Sequence, residues 1–466
     1  MLGVCLLMPV AASAASSVNW PAYLFGSDHG SYSPAATAIT TANAASLGQA
    51  WSFVPPGHLG GQIYSSPIVY NGNVYFGSDN GSFYDLSAST GAVIWSHMTK
   101  QQPVLTCNWP EQPQGFVSTA TIAPDPLTGD PTVYVAAPDG YLYAWNAISG
   151  AQLWRSVVAI PSKTVNNYFN WSSPAVANGT IYVGVASGCD FPLVWGGEKS
   201  YSQASGQKLA VFHSNRTGDL GGDIWSSALV TGDGSVYVDT GNQATNGAIG
   251  RSDSIIRLDP KTLKARDIFT IPPAQQVGDG DFGSSPTAWT ASLGGVPTQM
   301  VGACNKNGLF YALRASTLSA GPVWTDSLGT PPQQVGYLSI CSSSAVWDQD
   351  TSQLFLSGNF TAIGGTEYKG SVQQVNPATG ASVWQTGLPG AVLGTPTLDG
   401  LGVLAVATCD YSGAPNAIYL LDAQDGHILA TLGSGDAPVF AQPTFADQYI
   451  FEATVGQGFI AYRLPG

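Results

Sequence analysis

Residues 64–95 read YSSPIVYNGNVYFGSDNGSFYDLSASTGAVIW. Small residues and a Pro open the stretch, a β-branched and aromatic run follows, Asn-Gly makes a tight turn, and a second strand leads to Thr-Gly and a closing Trp. The same phrase recurs about every fifty residues, which marks a repeat architecture. A second copy, STATIAPDPLTGDPTVYVAAPDGYLYAWNAISGAQLW, ends at Trp154, and a third opens WSSPAVANGTIYVGVASG at Trp171. The fourth opens GGDIWSSALVTGDGSVYVDTGN, Gly221 to Asn242, and closes near Phe269; three more close at Trp324, Trp384 and Leu432. The eighth, FAQPTFADQYIFEATVGQGFIAYRL, lacks its closing strand, and NAASLGQAWSF, Asn43 to Phe53, is a lone closing strand at the other terminus. Pairing the two removes the exposed edges of an open array. About four strands per copy in a closed ring predict an all-β fold, an eight-bladed β-propeller closed by the N-terminal strand. In AWNAISGAQLW, Ala144 to Trp154, the Gly four residues before the Trp permits a turn, so that the indole can lie against a neighbouring blade.

Composition agrees with one large all-β unit over residues 16–466. Gly is abundant at 56 of 466 residues, charged residues make up 9%, and no long stretch shows the 3.6-residue period of an amphipathic helix. The net charge of −14 repels phosphate backbones and anionic membranes, which argues against nucleic acid as a partner. Residues 1–15, with a short apolar run and Ala12-Ser13-Ala14, fit a secretory signal peptide too short to span a bilayer. Export to the periplasm or the extracellular space is therefore expected. Of Cys107, Cys189, Cys304, Cys341 and Cys409, at least one cannot pair internally. Cys107 with Cys189 and Cys304 with Cys341 lie in adjacent copies, where disulfides are conceivable. No CxxCH occurs, so covalent c-type haem is not expected. Asn170-Trp171-Ser172 and Asn178-Gly179-Thr180 fit the glycosylation acceptor pattern.

These motifs resemble the quinoprotein dehydrogenases, propellers that hold pyrroloquinoline quinone (PQQ) and a metal ion near the axis. WPAYLFGSDHGSYSP, Trp20 to Pro34, is similar to the family's entry segment, with Ser31 where Arg is usual. The polyvinyl-alcohol-dehydrogenase-like branch is the nearest in pattern, and the adjacent cysteine pair of methanol dehydrogenases is missing. The resemblance implies that Trp225 in GGDIW stacks on the quinone, that Asn242 in TGN is a metal ligand, and that Asp190 in GVASGCD stands where Glu usually ligates the metal. In GDGDFGSSP, Gly278 to Pro286, alignment on the Pro makes Asp279 the general base and Asp281 an added metal ligand. Alignment on Asp-Phe makes Asp281 the base, and the first register is preferred. Lys306 in NKNGLFYAL corresponds to the cation that reaches the quinone oxygen.

The residues suit that chemistry independently. An indole face offers stacking, Asp and Asn oxygens suit Ca²⁺ or a lanthanide, a carboxylate can take a proton from an alcohol, and an ammonium can balance charge on a reduced quinone. The expected function is oxidation of an alcohol, polyol or sugar, small or polymeric, with electrons passed to an external acceptor such as cytochrome c. The rival reading is a non-catalytic propeller that binds a protein or a polysaccharide in the cell envelope.

Overall fold

The computed structural model describes residues 18–102, 114–162, 167–190, 192–216, 219–242, 250–329 and 341–465. The expected signal peptide and Cys107, with its pairing, lie outside them. Eight antiparallel sheets follow one another along the chain. Blades 1 to 7 occupy 68–98, 121–157, 168–213, 229–270, 287–327, 346–388 and 397–433. Blade 8 has three strands from 444–463, and Gly48–Phe53 completes it by pairing with Phe459–Arg463. This is the expected ring closure: the last blade is built from both ends of the sequence. Blade 3 departs from the four-strand pattern, because Tyr168–Phe169 adds a short fifth strand on Ala186 and Ser187.

The recurrent Thr-Gly and Trp are explained by how blades meet. Trp51, Trp95, Trp154, Trp324 and Trp384 each lie on the Gly of the following blade: Gly91, Gly150, Gly206, Gly380 and Gly426. A Cβ on any of these glycines would meet the indole at 2.3–2.9 Å. Four of the indoles also donate to a carbonyl of the next blade, at Ala88, Ala147, Pro377 and Ala423, over 3.0–3.2 Å. Where blade 3 has the small Ala210 in place of the Trp, the corresponding turn of blade 4 carries Leu263 at φ 53°, and Ala210 packs against the core cluster that holds Leu263.

The small-residue entries have their own cause at the axis, where eight blades crowd together. A short hydroxyl fits there and also accepts an amide proton from the preceding blade. Ser66 N donates to Thr119 Oγ1, Thr119 N to Ser173 Oγ, Ser173 N to Ser227 Oγ and Ser227 N to Ser285 Oγ, all at 2.9–3.0 Å. Ser344 N donates to Thr395 Oγ1, and Gln442 N returns to Ser66 Oγ at 3.1 Å. All of these residues but Ser344 line an axial cavity of about 80 Å³, which Trp225 and Tyr23 also line.

Tyr23 belongs to the entry segment, which crosses the ring as a plug. Trp20 exchanges backbone hydrogen bonds with Val69 of blade 1. Pro21 O, Ser27 O and Gly30 O accept from Ile122, Val230 and Trp347 of blades 2, 4 and 6 at 2.7–2.8 Å. His29 Nδ1 meets Pro286 O at 2.7 Å, Ser31 O accepts from Leu398, and Ala38 N donates to Asp447 O. Leu24, Phe25, His29 and Ser31 hold left-handed backbone angles, a strain that the surrounding contacts sustain. Ser31 is fully buried and donates to Pro396 O, so the position usually taken by Arg is here filled by a small side chain.

Cys304 and Cys341 form a disulfide with Cα atoms 5.7 Å apart, tying blade 5 to the strand entry of blade 6. Cys409 is a buried free thiol. Asn170 is buried and bonded to Ala137 O, which removes it as a glycosylation acceptor, whereas Asn178 sits in an exposed turn. No helix of the described residues is long and apolar enough to cross a membrane.

Candidate active site

The ends of three adjacent blades bring the predicted residues together. In blade 3, Thr180–Ser187 runs into a turn in which Ser187 Oγ accepts Asp190 N at 3.0 Å and donates to Asp190 Oδ1 at 2.9 Å. This turn puts Asp190 at φ 63°. In blade 4, Val236–Asp239 continues through Gly241 to Asn242. A Cβ on Gly241 would stand 2.7 Å from Asp281 Oδ1, so only Gly allows the close approach. Asn242 N donates to that oxygen at 2.5 Å, and Asn242 Nδ2 donates to Asp190 Oδ2 at 3.0 Å.

Blade 5 contributes the charged centre. Lys306, in the turn after Val296–Cys304, bonds through its backbone N to Asp281 O at 2.8 Å. Its Nζ lies 2.8 Å from Asp279 Oδ1 and 2.7 Å from Asp281 Oδ2. The same Nζ stands 5.6 Å from the centroid of the partly buried Trp225 ring, within cation–π range. All six residues expected from the sequence therefore meet, although 116 positions separate Asp190 from Lys306.

The two aspartates of GDGD differ in depth. The Asp281 side chain is 7% exposed and the Asp279 side chain 41%, so Asp281 lies inside and Asp279 at the mouth. Burial raises the Asp190 carboxyl above its usual range, with the Asp281 charge adding to it. Burial likewise raises Asp279, against the pull of Lys306. For Lys306 burial works the other way, but the charges of Asp281 and Asp279 outweigh it and hold the ammonium above the ordinary lysine range.

A hard cation fits this donor set. Oxygens of Asp190, Asp279 and Asp281 all lie within 4.8 Å of one another. Two ligands at 2.3–2.6 Å from one Ca²⁺ are separated by at most about 5.2 Å. Three carboxylates against one ammonium also leave net negative charge for a cation to balance. In one respect the arrangement differs from expectation: Asn242 presents its amide nitrogen to Asp190, so ligation through its oxygen calls for the opposite amide orientation. For a planar cofactor, the partly exposed indole beside a lysine supplies a platform and a cation.

Two further residues belong to this neighbourhood without standing out in the repeat pattern. Asp223 is buried beside the cluster, and burial pushes its carboxyl up to about 8. Trp171 donates from Nε1 to Ser187 O at 2.8 Å. A signal existed for the first, since Asp223 is a charged residue inside the GGDIW strand entry, where only Trp225 was given a role.

The fold and sequence are similar to those of known proteins. The family profile described as glucose/ethanol/alcohol dehydrogenase, β-propeller domain, with PQQ as its short name, matches residues 20–318. The chain belongs to this PQQ propeller family. That span covers the entry segment, blades 1 to 4 and every one of the six site residues in this PQQ propeller. A second profile, outer membrane protein assembly factor BamB, matches residues 314–439 and 368–463. A polyvinylalcohol dehydrogenase of Pseudomonas sp is 24% identical over 387 residues, 74% of this chain and 56% of that protein. The chain thus spans just over half the length of this relative. Among solved structures, a europium-containing methanol dehydrogenase superposes with a TM-score of 0.76 at 16% identity, covering 96% of this chain and 98% of the other. The quinohemoprotein alcohol dehydrogenase of Comamonas testosteroni gives 0.75 at 16% identity, covering 97% and 81%. BamB of Moraxella catarrhalis gives 0.55 at 13% identity, covering 90% and 98%. The chain is thus a PQQ alcohol-dehydrogenase-like propeller.

Proposed function

We propose that the chain is an extracytoplasmic PQQ-dependent dehydrogenase that oxidises an alcohol, polyol or sugar, small or polymeric, and passes electrons to a separate acceptor such as a c-type cytochrome. The observation that carries this reading is the convergence of three carboxylates and one lysine beside a partly exposed Trp, at the ends of consecutive blades. The disulfide between Cys304 and Cys341 supports an oxidising compartment.

In this reading Asp190, Asp281 and, after reorientation of its amide, Asn242 hold Ca²⁺ or a lanthanide ion. Trp225 is the floor for the quinone. When bound, the quinone supplies the two-electron acceptor and the cation a Lewis acid. Asp279, the accessible member of the Asp pair, takes the hydroxyl proton of the alcohol. Lys306 orients both aspartates and supplies positive charge where the cofactor gains electrons. Asp281 is too enclosed to meet a substrate, which favours the register that makes it a ligand.

The test is reconstitution of the purified protein with PQQ and either Ca²⁺ or La³⁺, followed by dye reduction with a panel of alcohols, polyols and sugars. Dye reduction that requires quinone, cation and one of these substrates is the expected result. The BamB profile over the later blades favours the alternative of a binding propeller. Absence of quinone binding with either ion would leave that alternative standing.

A further inference from the structure

We propose that Asp223 is a positioning residue that brings Asp190 into the cation site, offsetting the methylene that Asp190 lacks relative to the Glu of the family pattern; the inference rests on the cation-site reading above. The turn that carries Asp190 is held by hydrogen bonds that lead to Asp223. Asp223 Oδ2 accepts the Ser187 backbone N–H at 2.5 Å, and Ser187 Oγ in turn bonds both the backbone N and the Oδ1 of Asp190. The next residue repeats the tie, with Ile224 N donating to Val185 O at 3.1 Å.

The backbone of the same residue fixes the other side of the site. Asp223 O accepts Gly241 N at 2.7 Å, and Gly222 N donates to Asn242 O at 2.9 Å. One buried residue thus references the blade 3 turn that carries Asp190 and the blade 4 end that carries Asn242 to a common point, and those two side chains meet at 3.0 Å. Asp223 Oδ1 has no hydrogen-bond partner among the described residues, so the side chain acts through Oδ2, the oxygen on Ser187. A carboxyl kept in the core with one hydrogen-bonded oxygen costs stability, and a positioning role accounts for its presence there.

The experiment is titration of the full chain with Tb³⁺, read by luminescence sensitised through nearby tryptophans, for wild type, Asp223→Ala, Asp223→Asn, Ser187→Ala and each of these with Asp190→Glu. Asn keeps an acceptor oxygen for Ser187 N and Ala does not. The expected result is about a tenfold loss of Tb³⁺ affinity for Asp223→Ala and Ser187→Ala, with Asp223→Asn within about threefold of wild type. The Ala losses should shrink when Asp190→Glu restores the missing methylene. Ser187→Ala leaves the buried acid in place, so it remains informative if Asp223→Ala does not fold. Wild-type affinity in both Ala variants overturns the proposal, as does an Asn variant as weak as the Ala variant, which would make Asp223 a source of charge rather than of position. A wild type that binds no Tb³⁺ overturns the cation-site reading and this inference with it.

Discussion

Asp279 and Asp281 are two positions apart on one loop and share one lysine, yet the side chain of the first is 41% exposed and that of the second 7%. That difference separates a residue that can meet a substrate from one that can only hold the site together. Asp279→Asn should lower turnover by about 100-fold or more while quinone binding, followed by absorbance titration, stays near wild type. Trp225→Ala should do the converse, weakening quinone binding by about tenfold through lost stacking and burial. The residue types of the site were legible in the sequence because each blade ends in a different chemical group, which turn formation alone does not require. Their depth was not legible. It depends on how the loop of blade 5 packs on Gly241 of blade 4, a contact between different repeats. Asp223 escaped notice for the same reason: its partner, the Ser187 amide, belongs to another blade and carries no side-chain signal.

The indole of one blade rests on the glycine of the next at five junctions of the ring. Gly150→Ala places a methyl 2.9 Å from the Trp95 ring and also strains a backbone at φ 71°. Gly129→Ala strains a backbone at φ 78° with nothing within 4 Å. Denaturant unfolding should show a loss of about 2 kcal/mol or more for the first and about 1 kcal/mol for the second, the difference reporting the indole seat. Equal losses would mean that the Trp–Gly contact adds nothing to blade docking. Blades were readable from sequence because a strand, a Gly turn and a closing aromatic or apolar strand recur about every fifty residues. The extra strand Tyr168–Phe169 was not, since it pairs through only two residues and belongs to no repeat.

The whole ring depends on its N-terminal 36 described residues twice, once as the plug of 18–39 and once as Gly48–Phe53 in blade 8. Removing residues 18–39 alone should lower the melting temperature although no strand of any blade is lost, because seven blades lose a hydrogen bond to the segment. Stability should also fall as pH rises. Burial raises Asp85, Asp223 and Glu452 to about 8 and Asp239 well above its usual range, so the folded chain binds more protons than the unfolded chain between about pH 4 and 8. Their stabilising effect is complete below the unfolded pKa and is lost through pH 8, whereas the lowered carboxyls of Asp233 and Asp259 matter only under acid conditions. Melting curves at pH 5.5 and 8 should therefore differ by several degrees in favour of pH 5.5. The central claim, that three blade ends form one cation and quinone pocket, is tested most directly by anomalous diffraction from crystals grown with PQQ and Tb³⁺. The account predicts a strong peak with Asp190 and Asp281 oxygens about 2.3–2.6 Å away and the quinone over Trp225. A peak confined to the group of half-buried Asp422 with exposed Asp425 and His427, with Lys306 still bridging Asp279 and Asp281, would contradict it.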